Sequence, residues 1–349
     1  MARFFRSQRP HIGDRIVVRR RLPGTDGETS DVIGHVLSLD PLTVRPQRVG
    51  GLPSRAPALT IPDELIAIVR IMSPRTVRNS QIRAIESATA AAFPGLEHRW
   101  SADGQWLLRL GDGITERSNS ATPLGRTAGL EPVPLEEITD FYHSHDMPVT
   151  LHIPERIAKG AETLVQGPGW LLGPEILVMA RDLDNLPHPT ASLTGPAAEL
   201  TLRIDDQPDD DWLALYHFRG QALPADALDL LRRTIDGTMG FARLIDAAGA
   251  TVAITRATIT AAPDGAHWLG YSAVEVAPAW RRHGLATRLG AEVLAWGAAH
   301  GAQGAYLQAI STNTAGIGLY HKLGFLEHHR HRYATEDFSR APRPGGSPT

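Results

Sequence analysis

One change of period constrains this chain more than any other feature. Its first 74 residues read as short β-rich runs at 15–20, 31–39, 42–48, 58–61 and 66–72, parted by Pro23-Gly24-Thr25-Asp26-Gly27 and Gly50-Gly51-Leu52-Pro53. From Ser80 the spacing becomes helical, with Ile82, Ile85, Ala88, Ala92 and Phe93 on one face until Pro94-Gly95 stops the run. Alternation and helical periodicity cannot share one continuous layer, so an all-β unit gives way to an α/β unit. Length agrees, since 349 residues suit two or three domains of roughly 100 to 200 residues each.

Gly13-Asp14 ahead of the first run and the single turn Ile61-Pro62-Asp63-Glu64-Leu65 ahead of the last make residues 1–74 resemble an SH3-like barrel. Its only aromatics, Phe4 and Phe5, argue against a groove for proline-rich peptides. Past the helix at 82–93 the sequence predicts a strand pair at 105–110 and 114–119, turning at Gly111-Asp112-Gly113. Then come a helix at 135–145, a strand at 149–153, a helix at 157–165 and a strand at 176–180. The proline-containing stretch 185–196 reads as a linker. Beyond it, Asp209-Asp210-Asp211 can cap a helix through Tyr216, a further helix is predicted at 226–235, and strands at 241–245, 251–259 and 267–276. A helix at 285–299 aligns Leu285, Leu289, Val293 and Trp296, a strand follows at 305–310, and a short helix aligns Ala315, Leu319 and Leu323. The tail from Arg340 reads as disordered.

Composition removes several classes of function. With no cysteine there is no thiol nucleophile, no disulfide and no cysteine metal site. A net charge of −3 gives no reason to expect nucleic acid as a partner, and lysine occurs only at Lys159 and Lys322, a pattern that reads first as codon bias. No apolar run is long enough to cross a bilayer, and the arginines near the N-terminus precede no apolar signal core, so the expectation is a cytoplasmic protein with no membrane partner.

The chemistry concentrates in Val274-Glu275-Val276-Ala277-Pro278-Ala279-Trp280-Arg281-Arg282-His283-Gly284-Leu285-Ala286, where a strand passes through a loop into a helix. Such a junction aims unpaired N–H groups and the positive end of the helix dipole at one spot. Gly284 and Ala286 allow close approach, and Arg281 and Arg282 add charge, which suits a pyrophosphate. About thirty residues on stand Asn313 and Leu319-Tyr320-His321-Lys322-Leu323-Gly324-Phe325. The R-x-x-G-x-A and N-x(6)-Y-x-x-x-G-F motifs, in this order and spacing, resemble the GCN5-related N-acetyltransferase (GNAT) superfamily.

That resemblance implies an α/β fold, of α+β type, in which an N-terminal SH3-like barrel (1–74) precedes tandem GNAT-like mixed-sheet domains. The first half (78–195) is degenerate, the second (205–340) catalytic, and 341–349 a disordered tail. The first half lacks the motif, carrying Thr122-Pro123-Leu124-Gly125-Arg126 after its strand, and is expected to wall the acceptor cleft through Trp106, Arg117 and Asn119. Tandem halves also occur in mycothiol synthase, a likeness of architecture alone.

The resemblance further implies acetyl-CoA as co-substrate, held by Val274, Val276, Arg281, Arg282, His283, Gly284, Leu285, Ala286 and Asn313. Tyr320 would donate a proton to the leaving thiolate. Some family members carry a glutamate base on the strand before Asn313; here that position is Gln308, which leaves Glu275 as the alternative. The expected partner is a primary amine on a small molecule or protein, homodimerisation being open, and the rival reading is a CoA-binding scaffold without turnover. His328, His329 and His331 lack a carboxylate or cysteine that would complete a ligand set, so no metal is expected.

Overall fold

Apolar residues at every second position, Ile16 and Val18, Val32 and Val36, Leu42 and Val44, build the first sheet. In the computed structural model, which describes residues 4–24, 27–111, 113–188, 195–218, 221–222 and 235–337, β1 (Arg15–Arg21) sends Ile16 and Val18 inward. It pairs antiparallel with β2 (Thr29–Leu39), and β3 (Leu42–Pro46), β4 (Leu59–Thr60) and β5 (Ile66–Ile71) complete a five-stranded sheet in the order β4-β3-β2-β1-β5. Val32, Val36, Leu42, Val44 and Ile61 close its core. The expected turn before the last strand is a 3-10 turn at Asp63–Leu65. These strands belong to a unit formed by Met1–Arg78 with Glu327–His329, and the described residues from Asn79 onward otherwise form a second compact unit.

The second unit opens with α1 (Asn79–Ala92), whose Ile82, Ile85 and Ala88 are buried as the helical spacing predicts. Next come β6 (Glu97–Trp100), β7 (Trp106–Leu110) and β8 (Thr122–Pro123), a three-stranded sheet in that order. The expected strand at 114–119 is not formed. Asn119 explains why: its Oδ1 accepts from the N–H groups of Gly111 (2.8 Å) and Gly113 (3.3 Å) while its Nδ2 donates to Thr115 O, tying the segment into a loop. Thus β7 pairs with β6 and β8 instead.

The chain continues through α2 (Leu135–His143), β9 (Thr150–Pro154), α3 (Lys159–Leu164), β10 (Trp170–Leu172), β11 (Ile176–Asp182), β12 (Thr201–Asp205), α4 (Asp210–Leu215), and the ribbon of β13 (His217–Phe218) and β14 (Gln221–Ala222). Asp209 caps α4 as its sequence suggests, accepting from Trp212 N. Then follow β15 (Gly237–Ile245), β16 (Thr251–Ala261), β17 (His267–Val276), α5 (Leu285–Ala299), β18 (Gly304–Ile310), α6 (Thr314–Lys322) and β19 (Leu326–Glu336). The helix expected at 226–235, much of the linker at 185–196 and the tail from Arg340 fall largely or wholly outside the described residues.

One nine-stranded sheet organises this unit, in the order β10-β19-β11-β18-β17-β16-β15-β12, with β9 also on β19. Strands from both sides of the expected boundary interleave: β11 of the first half lies between β18 and β19 of the second. The boundary between 195 and 205 is therefore no break in the sheet. On one face α5 covers a core of Leu269, Tyr271, Leu285, Leu289 and Val293. It sits close because position 290 is glycine: a Cβ there would lie 2.4 Å from Tyr271 Oη and 2.5 Å from Leu323 Cδ1. The other face carries α1, through Ile85, Ala88 and Tyr306, and α4, through Trp212, Phe241 and Ile254. Among the described residues no helix is long and apolar enough to cross a membrane.

Candidate active site

A β-bulge in β17 creates the site. Ser272 faces Arg256 on β16 and Glu275 faces Ile254, so Ala273 and Val274 together oppose the single residue Thr255. Ala273 takes a left-handed backbone (φ 57), and Thr255 Oγ1 donates to Ser272 O at 2.8 Å, pinning the bulge. Its effect appears on the next strand. β17 pairs in parallel with β18 only from Trp268↔Gly304 to Tyr271↔Leu307, although the two strands run on to Val276 and Ile310. They fork beyond Tyr271, and the backbone of β17 past that point is freed from its ladder with β18.

On the α5 face the fork opens into a cleft of about 550 Å³ lined by Val276, Trp280, Arg281, Arg282, Gly284, Leu285, Ala286, Thr287, Ala315, Leu319 and Lys322. Gly284 is the N-cap of α5, with φ 79 and no side chain capping the first turn, while Arg282 is also left-handed at φ 66. The first-turn N–H groups thus lack a side-chain acceptor and share the helix terminus with three cations, Arg281, Arg282 and Lys322. Arg281 is steadied by Nε donating to Val276 O at 3.1 Å. Most of the residues singled out from the sequence are brought together here. His283 is exposed and outside the lining, and Val274 packs against the core. Asn313 is the N-cap of α6, its Oδ1 accepting from Gly316 N at 2.9 Å, so its side chain braces a helix rather than lining the cleft. Lys322 and Trp280 stand within the two quoted motif segments but were given no role there; Lys322 could have been, as a cation beside the second motif.

Tyr320 stands at the base of α6 among Tyr271 (ring centroids 6.3 Å) and Phe325 (6.2 Å). Burial first, and then the negative charge of Glu275, push its phenol up to about 12. Glu275 is half-buried and within electrostatic reach of that phenol.

Through the other side of the fork lies a second, narrower cavity, lined by Thr89, Phe93, Arg117, Thr258, Gly270, Tyr271, Ser272, Tyr306, Leu307 and Gln308. Of the three residues expected to wall the acceptor from the first half, only Arg117 reaches it. Trp106 is 1% exposed in the core, and Asn119 holds the 111–119 loop. The expectation that no ligand set forms around the C-terminal histidines is corrected for His331. Glu86 on α1 and His152 on β9 join it, the three ligand atoms lying within 4.8 Å of one another and all three residues buried. Burial pushes the Glu86 carboxyl up to about 7, against the pull of His331 and Arg109. The group arises from residues far apart in sequence, which is why spacing did not reveal it.

A forked parallel strand pair, with an uncapped helix N-terminus beside it and a partly buried tyrosine packed against Tyr271, is the core of a GNAT-like acetyltransferase fold. Comparison with known proteins makes the assignment specific. A family model described as "Probable histone acetyltransferase Rv0428c C-terminal" matches residues 79–334, and one described as "Rv0428c N-terminal Sm-like domain" matches residues 10–51. The chain belongs to this Rv0428c acetyltransferase family. It is 37% identical over 328 residues to the probable histone acetyltransferase Rv0428c of Mycobacterium tuberculosis, covering 93% of this chain and 95% of that one. It is 26% identical over 255 residues to the uncharacterised N-acetyltransferase YobR of Bacillus subtilis, covering 72% and 97%. Among solved structures, a GCN5-related N-acetyltransferase from Kribbella flavida superposes with a TM-score of 0.53 at 17% identity, over 76% of this chain and 96% of that one. A tandem GNAT protein from the clavulanic acid biosynthesis pathway gives 0.50 at 18% identity, over 66% and 77%. These two share the fold. For the N-terminal strands the matched description is Sm-like, where the sequence suggested an SH3-like barrel.

Proposed function

We propose that the protein transfers the acetyl group of acetyl-CoA directly to a primary amine, on a small molecule or a protein, with the donor held by the second GNAT-like half (205–340). The observation that carries this reading is the cleft at the N-terminus of α5, where uncapped N–H groups and three cationic side chains converge beside the fork. The residues fit the donor. Residues 281–286 would hold the pyrophosphate, with Gly284 leaving the approach open, and the free edge of β17 near Val274 and Val276 would bind the pantetheine arm. Acetyl-CoA, when bound, supplies a thioester-activated acetyl group.

The chain supplies the rest. N–H groups of β17 beyond the bulge can polarise a carbonyl oxygen at the fork. The Tyr320 phenol, held protonated by burial, is the general acid for a departing thiolate, and Glu275 is the carboxylate available to take a proton. Gln308 half-buried at the fork can orient an amine but cannot deprotonate it. The first half serves as the wall of the acceptor side, the five-stranded N-terminal unit is read as a small SH3-like barrel, and the protein is expected in the cytoplasm.

Calorimetric titration with acetyl-CoA tests this. Saturable one-site binding is expected, weakened at least about tenfold in Arg281→Glu, because reversing a charge at a phosphate site removes an attraction and adds a repulsion worth together more than about 1.4 kcal/mol. Absence of binding at millimolar ligand would sink the reading.

A further inference from the structure

Three side chains able to ligate a metal meet in the core of the second unit. Glu86, His152 and His331 are 1%, 2% and 0% exposed, and one ligand atom from each lies within 4.8 Å of the other two. Among the described residues no other group of three histidines, aspartates or glutamates comes together in this way. None of the three lines the cleft at α5 or the narrow cavity at the fork.

Three elements build the group. β9 and β19 are antiparallel neighbours in which His152 faces Tyr333, so His331, two residues along, shares the same side of the sheet. α1 packs on β11 and β18 through Ile85, Ala88, Val178 and Tyr306, which brings Glu86 beside the two rings. The rings are held in place. His152 stacks on Tyr333 with centroids 4.9 Å apart, and it meets His331 edge-on at 4.5 Å.

The donor atoms are placed as an ion requires. His152 Nδ1 lies 3.3 Å from Thr122 Oγ1, which also accepts from Arg109 Nη2 at 2.8 Å. A hydroxyl oxygen has two lone pairs and can accept from both, and the Nδ1–H tautomer of His152 leaves the ring's lone pair on Nε2. An oxygen holding the far N–H is the usual support of a metal-bound histidine. His152 Nε2 is 3.7 Å from Glu86 Oε2, too long for a hydrogen bond. Two ligands on one tetrahedral zinc ion stand about 3.3 Å apart. The widest separation in the group, at most 4.8 Å, therefore closes by about 1.5 Å or less, within reach of rotation about the Glu86 side-chain torsions. Arg109 is a cation within electrostatic reach of Glu86, and its charge opposes an ion; its Nη groups are turned to Phe93 O, Ser120 Oγ and Thr122 Oγ1. Two imidazoles and one carboxylate match zinc, whereas magnesium and calcium call for more oxygens.

We propose that Glu86, His152 and His331 form a buried site for one zinc ion that ties helix α1 to strands β9 and β19. It is a site apart from acetyl transfer, and it stands whether or not that reading holds.

The test strips the full chain with a chelator, removes the chelator and titrates zinc by calorimetry. One equivalent should bind, and zinc should raise the midpoint of thermal unfolding. In Glu86→Gln and in His331→Gln the affinity should fall by more than about a hundredfold, since losing a ligand costs more than losing the partner of one. His328→Gln, which removes a neighbouring histidine outside the group, should bind as the wild type does. Should the core variants prove unfolded by circular dichroism, the wild type decides: X-ray absorption fine structure at the zinc edge should count two imidazoles with oxygen completing the shell. Absence of zinc binding in the stripped wild type, undiminished affinity in Glu86→Gln and His331→Gln, or a zinc edge with any other number of imidazoles overturns the proposal.

Discussion

Tyr320 illustrates how a side chain becomes useful by position. In water a phenol is an indifferent acid; burial among Tyr271 and Phe325 and the charge of Glu275 push its pKa up to about 12. The sign matters. Raising a phenol's pKa favours the neutral form, so the proton stays in place until the pH rises through about 12 and the acid remains loaded across the neutral range. Tyr320→Phe is expected to lower kcat by roughly 10²- to 10⁴-fold, the usual worth of a positioned proton donor, with acetyl-CoA affinity nearly unchanged. A pH profile of wild-type kcat should correspondingly show no alkaline loss from this group below about pH 11. At this scale the sequence was informative where residues are contiguous or in a spaced motif, as with Arg281, Gly284 and Tyr320. It was silent on Lys322 facing the arginines and on Glu86, His152 and His331 meeting in the core, because such meetings depend on pairings distant in sequence.

Among the elements, β17 matters most. Its bulge places Ala273 at φ 57, a conformation that costs an L-residue about 1–2 kcal/mol and a β-branched one more. Ala273→Gly should keep both stability and acetyl-CoA binding. Ala273→Val should lose about 1–3 kcal/mol in urea unfolding and weaken acetyl-CoA binding by straightening the strand and closing the fork. Equal behaviour of the two variants would show that the bulge does not hold the fork open. The element types in this region were readable from the sequence: 285–299 was predicted as a helix and forms α5 at those bounds. The bulge was not readable, because nothing in Tyr-Ser-Ala-Val-Glu-Val marks a left-handed residue. The segment 114–119 misled for a related reason, its β-like composition yielding to the hydrogen bonds of one asparagine.

For the whole molecule the interleaved sheet sets what can be separated. A fragment starting at residue 196 keeps all the cleft residues but loses β11, leaving β18 and β19 with open edges. Such a fragment is expected to aggregate or remain unfolded by circular dichroism and to bind no acetyl-CoA, and co-expression with residues 1–195 should restore both. Independent folding of the fragment would mean that the sheet closes without β11.

The sequence by itself determined the change from an all-β to an α/β unit, the order of most elements and the phosphate-directed helix terminus, because periodicity, capping and turn chemistry act over a few residues. Only the tertiary structure decided that strands of the two halves interleave, that β17 forks from β18, and that Arg256 is buried against Phe93. Register and long-range pairing are set by the packing of many distant side chains at once, and no local pattern encodes the sum.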